Sequence, residues 1–346
     1  LSHLDHAHYG FGKPEHKAVV RKFPEDFQVI EQLSFSVSGE GQHVLLFVEK
    51  RDLNTDEVAK QLARFADVRP VAVGYAGLKD RHAVTRQWFS VDLAGKSEPD
   101  WQDLNSDRIK VLEAARHNRK LKHGAVKSNR FEIVLREFNG DHERLEQRLE
   151  WIQQHGVPNY FGEQRFGRHD ANLKQAEKIF LQQDKPNHKR ISRHLRGIYL
   201  SAIRSFLFNQ VVSQRVADRT WNQPIAGDVL MLDGTHSVFT VDAIDEEIVR
   251  RVNDFDIHPT GPLWGDGAPM TSGDALAVEN QALQPHRAWR EFLEATGMKQ
   301  ERRALRMKVA DLEWEWQGSD IKLAFQLPSG SYATSVLREL VLSLDR

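Results

Sequence analysis

Apolar and polar residues alternate along several short runs of this chain. Phe27-Gln28-Val29-Ile30-Glu31 and Val44-Leu45-Leu46-Phe47-Val48 predict two strands, and the Gly39-Glu40-Gly41 turn between them predicts an antiparallel pair. From Thr55 the spacing changes. Val58, Leu62, Ala63 and Phe65 recur with helical period behind a natural N-cap at Asn54 or Thr55, which predicts about three helical turns. Val71-Ala72-Val73 and Trp88-Phe89-Ser90-Val91 predict strands on either side of the charged stretch Gly77 to Thr85. Ile109 to Leu112 and Phe131 to Leu135 then alternate as half-buried strands do. Leu145, Leu149 and Ile152 mark an amphipathic helix that ends near Gly156, a residue favoured just past a helix C-terminus.

At Gly156-Val157-Pro158-Asn159-Tyr160-Phe161-Gly162 the periodic pattern gives way to Gly, Pro and aromatics, and a domain junction is expected there. Beyond it the pattern predicts helices over 173–181, 192–216 and 287–295. A small hairpin, Val229 to Gly234 with Val238 to Val241, interrupts them. Strand texture returns after Leu305, in Met307 to Val309, Leu312 to Trp316 and, past a Gly318 turn, Ile321 to Phe325. A last helix is predicted over 336–344. The fold class read from this is α+β, with residues 1–155 and 304–346 forming one domain interrupted by a mostly helical insertion over 156–303.

A length of 346 residues suits about two domains at roughly 150 residues each. The 40% hydrophobic and 28% charged content is that of a globular protein, and no apolar run approaches the roughly 20 residues that span a bilayer. The start, Leu1 to His6, has neither the basic head nor the apolar core of a signal peptide, so a soluble, cytoplasmic protein is expected. With no Cys, disulfides, thiolate nucleophiles and cysteine metal sites are excluded. A formal charge of −1 leaves nucleic-acid binding to local patches. Arg116, Arg119, Lys120, Lys122, Lys127 and Arg130 form one, and Lys185, Lys189, Arg190, Arg193 and Arg196 another.

Asp80 is the sole carboxylate of the Gly77 to Thr85 stretch and has Lys79, Arg81 and His82 beside it. At neutral pH a solvated aspartate is ionised, and neighbouring cations can hold it as a nucleophile or base. A hairpin loop of solvated charges fits the same residues. In Ser128-Asn129-Arg130-Phe131, Asn129 and Phe131 share a strand face, where an amide can bond a base edge and a ring can stack on it; a core Phe fits equally. Hydroxyls from Ser329 to Ser335 suit either an anion or a helix cap. The His3, His6, His8 trio has no second ligand cluster, and no phosphate-binding glycine motif is present, so neither metal nor cofactor is expected.

Four motifs, in chain order, carry a resemblance: Lys22-Phe23-Pro24-Glu25-Asp26-Phe27; Gly77-Leu78-Lys79-Asp80-Arg81-His82-Ala83-Val84-Thr85; Gly156 to Gly167, which contains Asn159-Tyr160-Phe161-Gly162-Glu163-Gln164-Arg165-Phe166-Gly167; and Leu327 to Ser335. Together they resemble the TruD family of tRNA pseudouridine synthases. The resemblance implies a pseudouridine-synthase catalytic domain with a mainly antiparallel sheet, carrying a family-specific insertion. It implies isomerisation of a tRNA uridine to pseudouridine without cofactor or metal, by family analogy at position 13 of the D-stem of a glutamate tRNA. It makes Asp80 the catalytic carboxylate, acting either by attack at C1′ or through a glycal. Phe27, Asn129 and Tyr332 are implied to contact the target nucleotide, with Phe131 near its ring. Tyr332 stands where close relatives are expected to have Phe.

Lys79, Arg81, His82, Arg119, Lys120, Lys122 and Arg130 are candidate RNA backbone contacts, and tRNA is the expected partner. For want of a heptad run or an apolar stripe the chain is expected to be a monomer with no obligate protein partner and no membrane association. Two other readings remain, a tRNA-binding protein in which Asp80 is structural, and a metal hydrolase, for which no carboxylate cluster is in sight.

Overall fold

The computed structural model describes residues 3–93, 95–122, 124–181 and 191–343. Its strands in chain order are β1 (Lys17–Val20), β2 (Phe27–Leu33), β3 (His43–Arg51), β4 (Val73–Tyr75), β5 (Val84–Asp92), β6 (Ile109–His117), β7 (Val126–Asn139), β8 (Val157–Pro158), β9 (Val229–Leu232), β10 (Val238–Thr240), β11 (Ile257–Leu263), β12 (Glu301–Ala304), β13 (Arg306–Met307), β14 (Ala310–Gln317), β15 (Asp320–Pro328) and β16 (Leu342–Ser343). Its helices are α1 (Thr55–Phe65), α2 (His142–His155), α3 (Ala171–Phe180), α4 (Arg193–Ala217), α5 (Glu246–Asn253), α6 (Gly273–Leu283), α7 (Arg287–Ala295) and α8 (Ala333–Leu340). This mixture of helices with mainly antiparallel sheets is the predicted α+β class.

The chain divides into two compact units. One holds Glu15–Leu145, Val309–Gly330 and the residues from Val341 on; the other holds the N-terminal residues to Pro14, Glu146–Lys308 and Ser331–Leu340.

The first unit is built on a ten-stranded sheet with the central order β14-β15-β7-β2-β5-β3-β6. The expected β2–β3 pairing is corrected here: β5 lies between them, parallel to β2 and antiparallel to β3. The nine residues joining β2 to β3 leave room for a third strand, and apolar β5 fills it. Register fixes which side chains share a face, because paired residues project together. Glu31 and Val29 of β2 pair with Asn129 and Phe131 of β7, Val29 with Thr85 of β5, and Thr85 with Lys50 of β3. Phe27, Val29, Glu31, Lys50, Thr85, Gln87, Asn129 and Phe131 therefore line one face.

Helix α1 covers the β3 and β5 portion of that face, where Val58, Leu62 and Ala63 pack with Val44, Leu46, Val48 and Phe89. The Glu57 carboxylate accepts from the Asn54 backbone N–H at 2.9 Å and so caps the helix start. The opposite face carries a separate cluster of Leu45, Trp88 and Leu121. The stretch after Pro70 begins as a short 3-10 turn, so β4 starts only at Val73.

In the second unit the long helix α4 runs through the core, burying Ala202, Ile203, Leu207, Phe208, Val211 and Val212 among Tyr160, Phe161 and Phe166. The predicted hairpin is present as β9 and β10, extended by β11 and β12 into a four-stranded sheet that periodicity does not reveal. Pro259 and Pro262 mask β11, since proline is unusual inside a sheet. They are accommodated because β11 pairs with β9 through its first residues and with β12 through its last. The final helix begins at Ala333 and stops at Leu340, earlier than predicted; Leu342–Ser343 instead pairs in parallel with β1. Among the described residues no helix is long and apolar enough to cross a membrane.

Candidate active site

The link between β4 and β5 carries Asp80, and its shape is set by contacts from distant parts of the first unit. Thr55, the first residue of α1, donates its hydroxyl to the Gln87 side chain at 3.0 Å and accepts the Lys79 backbone N–H at 3.0 Å. Gln87 in turn donates to the Gly77 carbonyl at 2.8 Å. Beneath them the Lys50 ammonium, fully buried, donates to the Leu53 carbonyl and to the carbonyl of Asp80 itself, both at 2.7 Å. Burial is the main cause that lowers the Lys50 ammonium to about 8; the Asp80 charge opposes the shift.

Lys79 does not point into solvent. Its ammonium lies 2.7 Å from one oxygen of buried Glu31, whose other oxygen accepts the Trp88 backbone N–H at 2.8 Å. The printed β2–β5 ladder ends at Ile30 and Arg86, and the carboxylate takes over for the β5 N–H beyond it. Removing one partner of such a buried pair typically costs about 3–5 kcal/mol. The loop is thereby tied to the sheet face that carries Asn129 and Phe131.

The Asp80 carboxylate, 28% exposed, faces Arg21, whose Nη2 is 3.4 Å away. The Arg21 guanidinium also lies over the Phe27 ring at 4.1 Å, within cation–π reach. Arg21 thus bridges the aromatic layer and the carboxylate. Phe27 is placed by the 3-10 turn Pro24–Asp26, in which buried Asp26 accepts the Phe23 N–H at 3.0 Å and the Arg136 guanidinium at 2.7 Å. Phe131 meets Phe27 edge-on at 6.2 Å and stacks with Phe325 at 5.5 Å, and these rings are buried. Asn129 stands two residues before Phe131, partly exposed. Its Oδ1 is buried without a hydrogen-bond partner among the described residues.

The structure thus brings Asp80, Lys79, Phe27, Asn129 and Phe131 to one sheet face. Arg81 and His82 point away, towards Asp52 at 3.8 and 3.0 Å. Arg130 has opposite parity to Asn129 and projects from the other face, 3.7 Å from Glu132. Arg119, Lys120 and Lys122 sit in the β6–β7 loop, which Leu121 anchors on that other face; Lys120 donates to the Val71 carbonyl at 2.6 Å. Tyr332 belongs to the second unit, its ring edge-on to Phe161 at 6.0 Å. Of the second cationic patch, Arg193 and Arg196 are exposed at the start of α4, while Lys185, Lys189 and Arg190 lie outside the described residues. The Ser335 hydroxyl donates to the Tyr160 carbonyl at 3.0 Å. No group of three or more metal-ligating side chains occurs among the described residues.

Sequence reasoning missed Arg21, Glu31 and Lys50. For two of them a signal existed. Phe27 and Val29 set an inward parity that ends on Glu31, and Val44, Leu46 and Val48 set one that ends on Lys50. A charge on the buried parity of a strand needs a partner. Nothing local distinguishes Arg21.

Comparison with known proteins defines the class first. The family profile described as tRNA pseudouridine synthase D (TruD) matches residues 3–187 and 182–340. The chain is 51% identical over 336 residues to a tRNA pseudouridine synthase D of Nitrosococcus oceani, covering 96% of this chain and 93% of that protein. It is 51% identical over 323 residues to one of Methylococcus capsulatus, covering 93% and 90%. A crystal structure described as a putative tRNA pseudouridine synthase D from Methanosarcina mazei shares the fold, with a TM-score of 0.73 at 22% identity over 97% of this chain and 96% of that one. These matches define an isomerase that converts uridine in tRNA to pseudouridine. The chain belongs to the TruD family of tRNA pseudouridine synthases.

Proposed function

We propose that this enzyme isomerises a D-stem uridine of a glutamate tRNA, with Asp80 as the catalytic carboxylate and no cofactor, in the cytoplasm where tRNA is found. The observation that carries the Asp80 assignment is its setting. A partly exposed carboxylate, faced by Arg21, stands on a loop held through its own carbonyl by buried Lys50 and through Lys79 by buried Glu31. A group fixed by several contacts from rigid strands is pre-organised for one geometry.

In this reading the N1–C1′ bond of the target breaks and its electron pair leaves with the uracil. Asp80 either bonds to C1′ or removes the C2′ proton to leave a glycal. The base turns, C5 joins C1′, and the C5 proton is released to solvent. Asn129 offers an amide to a base edge, and Phe131 lies on the same face. Phe27 supports Arg21 through its ring. Tyr332 contacts the nucleotide from the second unit, and residues 156–303 form the family-specific insertion within the catalytic domain of 1–155 and 304–346. Arg119, Lys120, Lys122 and Arg130 would meet RNA backbone away from the Asp80 face, and Arg81 and His82 at the loop.

The test is tritium release from tRNA labelled at uridine C5. Asp80→Asn, nearly isosteric, should abolish release while tRNA binding stays within about threefold, because the phosphate contacts that dominate affinity are untouched. Release at the wild-type rate from the Asn variant would remove Asp80 from the chemistry. Release from tRNAs lacking a D-stem uridine would correct the substrate.

A further inference from the structure

The Gly156 to Gly167 stretch has no part in the chemistry above, yet it builds an unusual cluster inside the second unit. Phe161 is 5% exposed, and its backbone is clamped on both sides by the amide of Asn209 on α4. The Phe161 N–H donates to Oδ1 at 2.8 Å, and the Asn209 amide nitrogen donates to the Phe161 carbonyl at 3.0 Å. Two guanidinium groups share its ring. Arg303 of β12 is 4.1 Å from the centroid, and Arg165, in the 3-10 turn Glu163–Arg165, is 5.3 Å from it.

The acceptors these arginines meet are neutral. Arg303 donates to Asn159 Oδ1 at 2.7 Å, and Arg165 donates to the Ser201 hydroxyl at 3.1 Å. Two cations at one ring repel. Burial first, and then the charge of Arg165, lower the Arg303 guanidinium to about 10, against the pull of the Tyr332 hydroxyl. The Arg165 Nε and the Thr334 hydroxyl are buried without hydrogen-bond partners among the described residues. Tyr332 closes one side of the cluster. Gly162 has no space for a side chain there, since a Cβ would stand 2.7 Å from Thr334 Oγ1 and 3.0 Å from the Tyr332 ring. Both arginines remain partly exposed, so an anion can reach them.

We propose that Arg165 and Arg303, held on the Phe161 ring beside Tyr332, form a binding site for a backbone phosphate of the tRNA substrate. Guanidinium forks match phosphate oxygens, and an anion there relieves the repulsion between the two cations. Arginine packed on a ring for stability alone would need neither the second guanidinium nor neutral partners. The placement beside the target nucleotide rests on the reading of Tyr332 as a nucleotide contact; the phosphate site itself does not.

The test measures binding of a tRNA transcript to the full-length chain carrying Asp80→Asn, over a range of salt concentrations. Arg303→Gln and Arg165→Gln should each weaken binding about tenfold near physiological salt and reduce the slope of log affinity against log salt by about one phosphate's share, roughly 0.7–0.9. Arg303→Lys keeps the charge and should retain the slope. With Asp80 intact, Arg303→Gln should raise KM about tenfold and leave kcat within about twofold. An unchanged slope in both Gln variants overturns the proposal and leaves the arginines as packing. If Arg303→Gln fails to fold, Arg165→Gln decides by the same slope. Tritium release from Asp80→Asn would sink the catalytic reading separately, without touching the slope comparison.

Discussion

Lys50 is the residue whose chemistry most departs from its type. Its ammonium is fully buried, near Asp80, Lys79, Asp52 and Glu57, and burial brings it down to about 8. An unfolded lysine titrates near 10.4. Between these values the unfolded chain holds more protons than the folded one, so folding stability contributed by Lys50 rises with pH across that window. Below about pH 8 both states are protonated and the full cost of burying the charge is felt. Comparing the wild type with Lys50→Met by urea denaturation, the difference should move in favour of the wild type by about 2 kcal/mol from about pH 7.5 to about pH 9.5. A difference that stays flat with pH would mean that the lysine is not titrating in this window. The same substitution removes the donor to the Asp80 carbonyl, and a loop misplaced by about 1 Å can cost on the order of 100-fold in kcat.

Among the elements, β4 shows how a single glycine shapes a loop. A Cβ at Gly74 would stand 2.7 Å from Ser90 Oγ and 2.8 Å from the Leu121 carbonyl, the place where the β6–β7 loop docks on the sheet. The Leu121 N–H bonds Ser90 Oγ at 3.0 Å, so the loop cannot retreat without losing that bond. Gly74→Ala should therefore cost about 1–3 kcal/mol by overpacking. Gly77→Ala is the control: a Cβ there meets nothing within 4 Å, and the change should stay within about 0.5 kcal/mol. Urea midpoints of the two variants would separate these expectations, and equal midpoints would contradict them.

The elements also mark what was legible in the chain. Alternation revealed β2, β3, β5, β7 and β15 because each buries one face, and helical spacing revealed α1, α4 and α7. Sheet order was not legible, since the placing of β5 between β2 and β3 depends on pairings between distant segments. β11 was hidden by its prolines. In the site, Asp80, Asn129 and Phe131 came from local motifs. Their supports did not, because Arg21, Glu31 and Lys50 reach the loop from 59, 48 and 30 residues away. A pattern read in short windows cannot see such partners, although the charged ends of the inward parities in β2 and β3 pointed to them.

For the whole molecule, the formal charge of −1 decides how tRNA must be held. A polyanion gains no attraction from the net charge, so affinity has to come from local groups of Lys and Arg that each displace counterions. Of the candidate contacts, Lys122 and Arg119 are exposed and available, whereas Lys79 is committed to Glu31 and Lys120 to the Val71 carbonyl. Binding that neutralises about four phosphates would have a logarithmic salt slope of about −3 to −4. Between about 50 and about 200 mM salt the affinity should then fall by about 100-fold. Replacing Arg119 and Lys122 together by Ala should make the slope shallower by about 1.5–2, whereas Lys79→Met should act on folding stability more than on the slope. Filter binding of a tRNA transcript measures the slopes and urea denaturation the stabilities. A slope near zero in the wild type would mean that contacts to bases and sugars, rather than phosphates, hold the substrate.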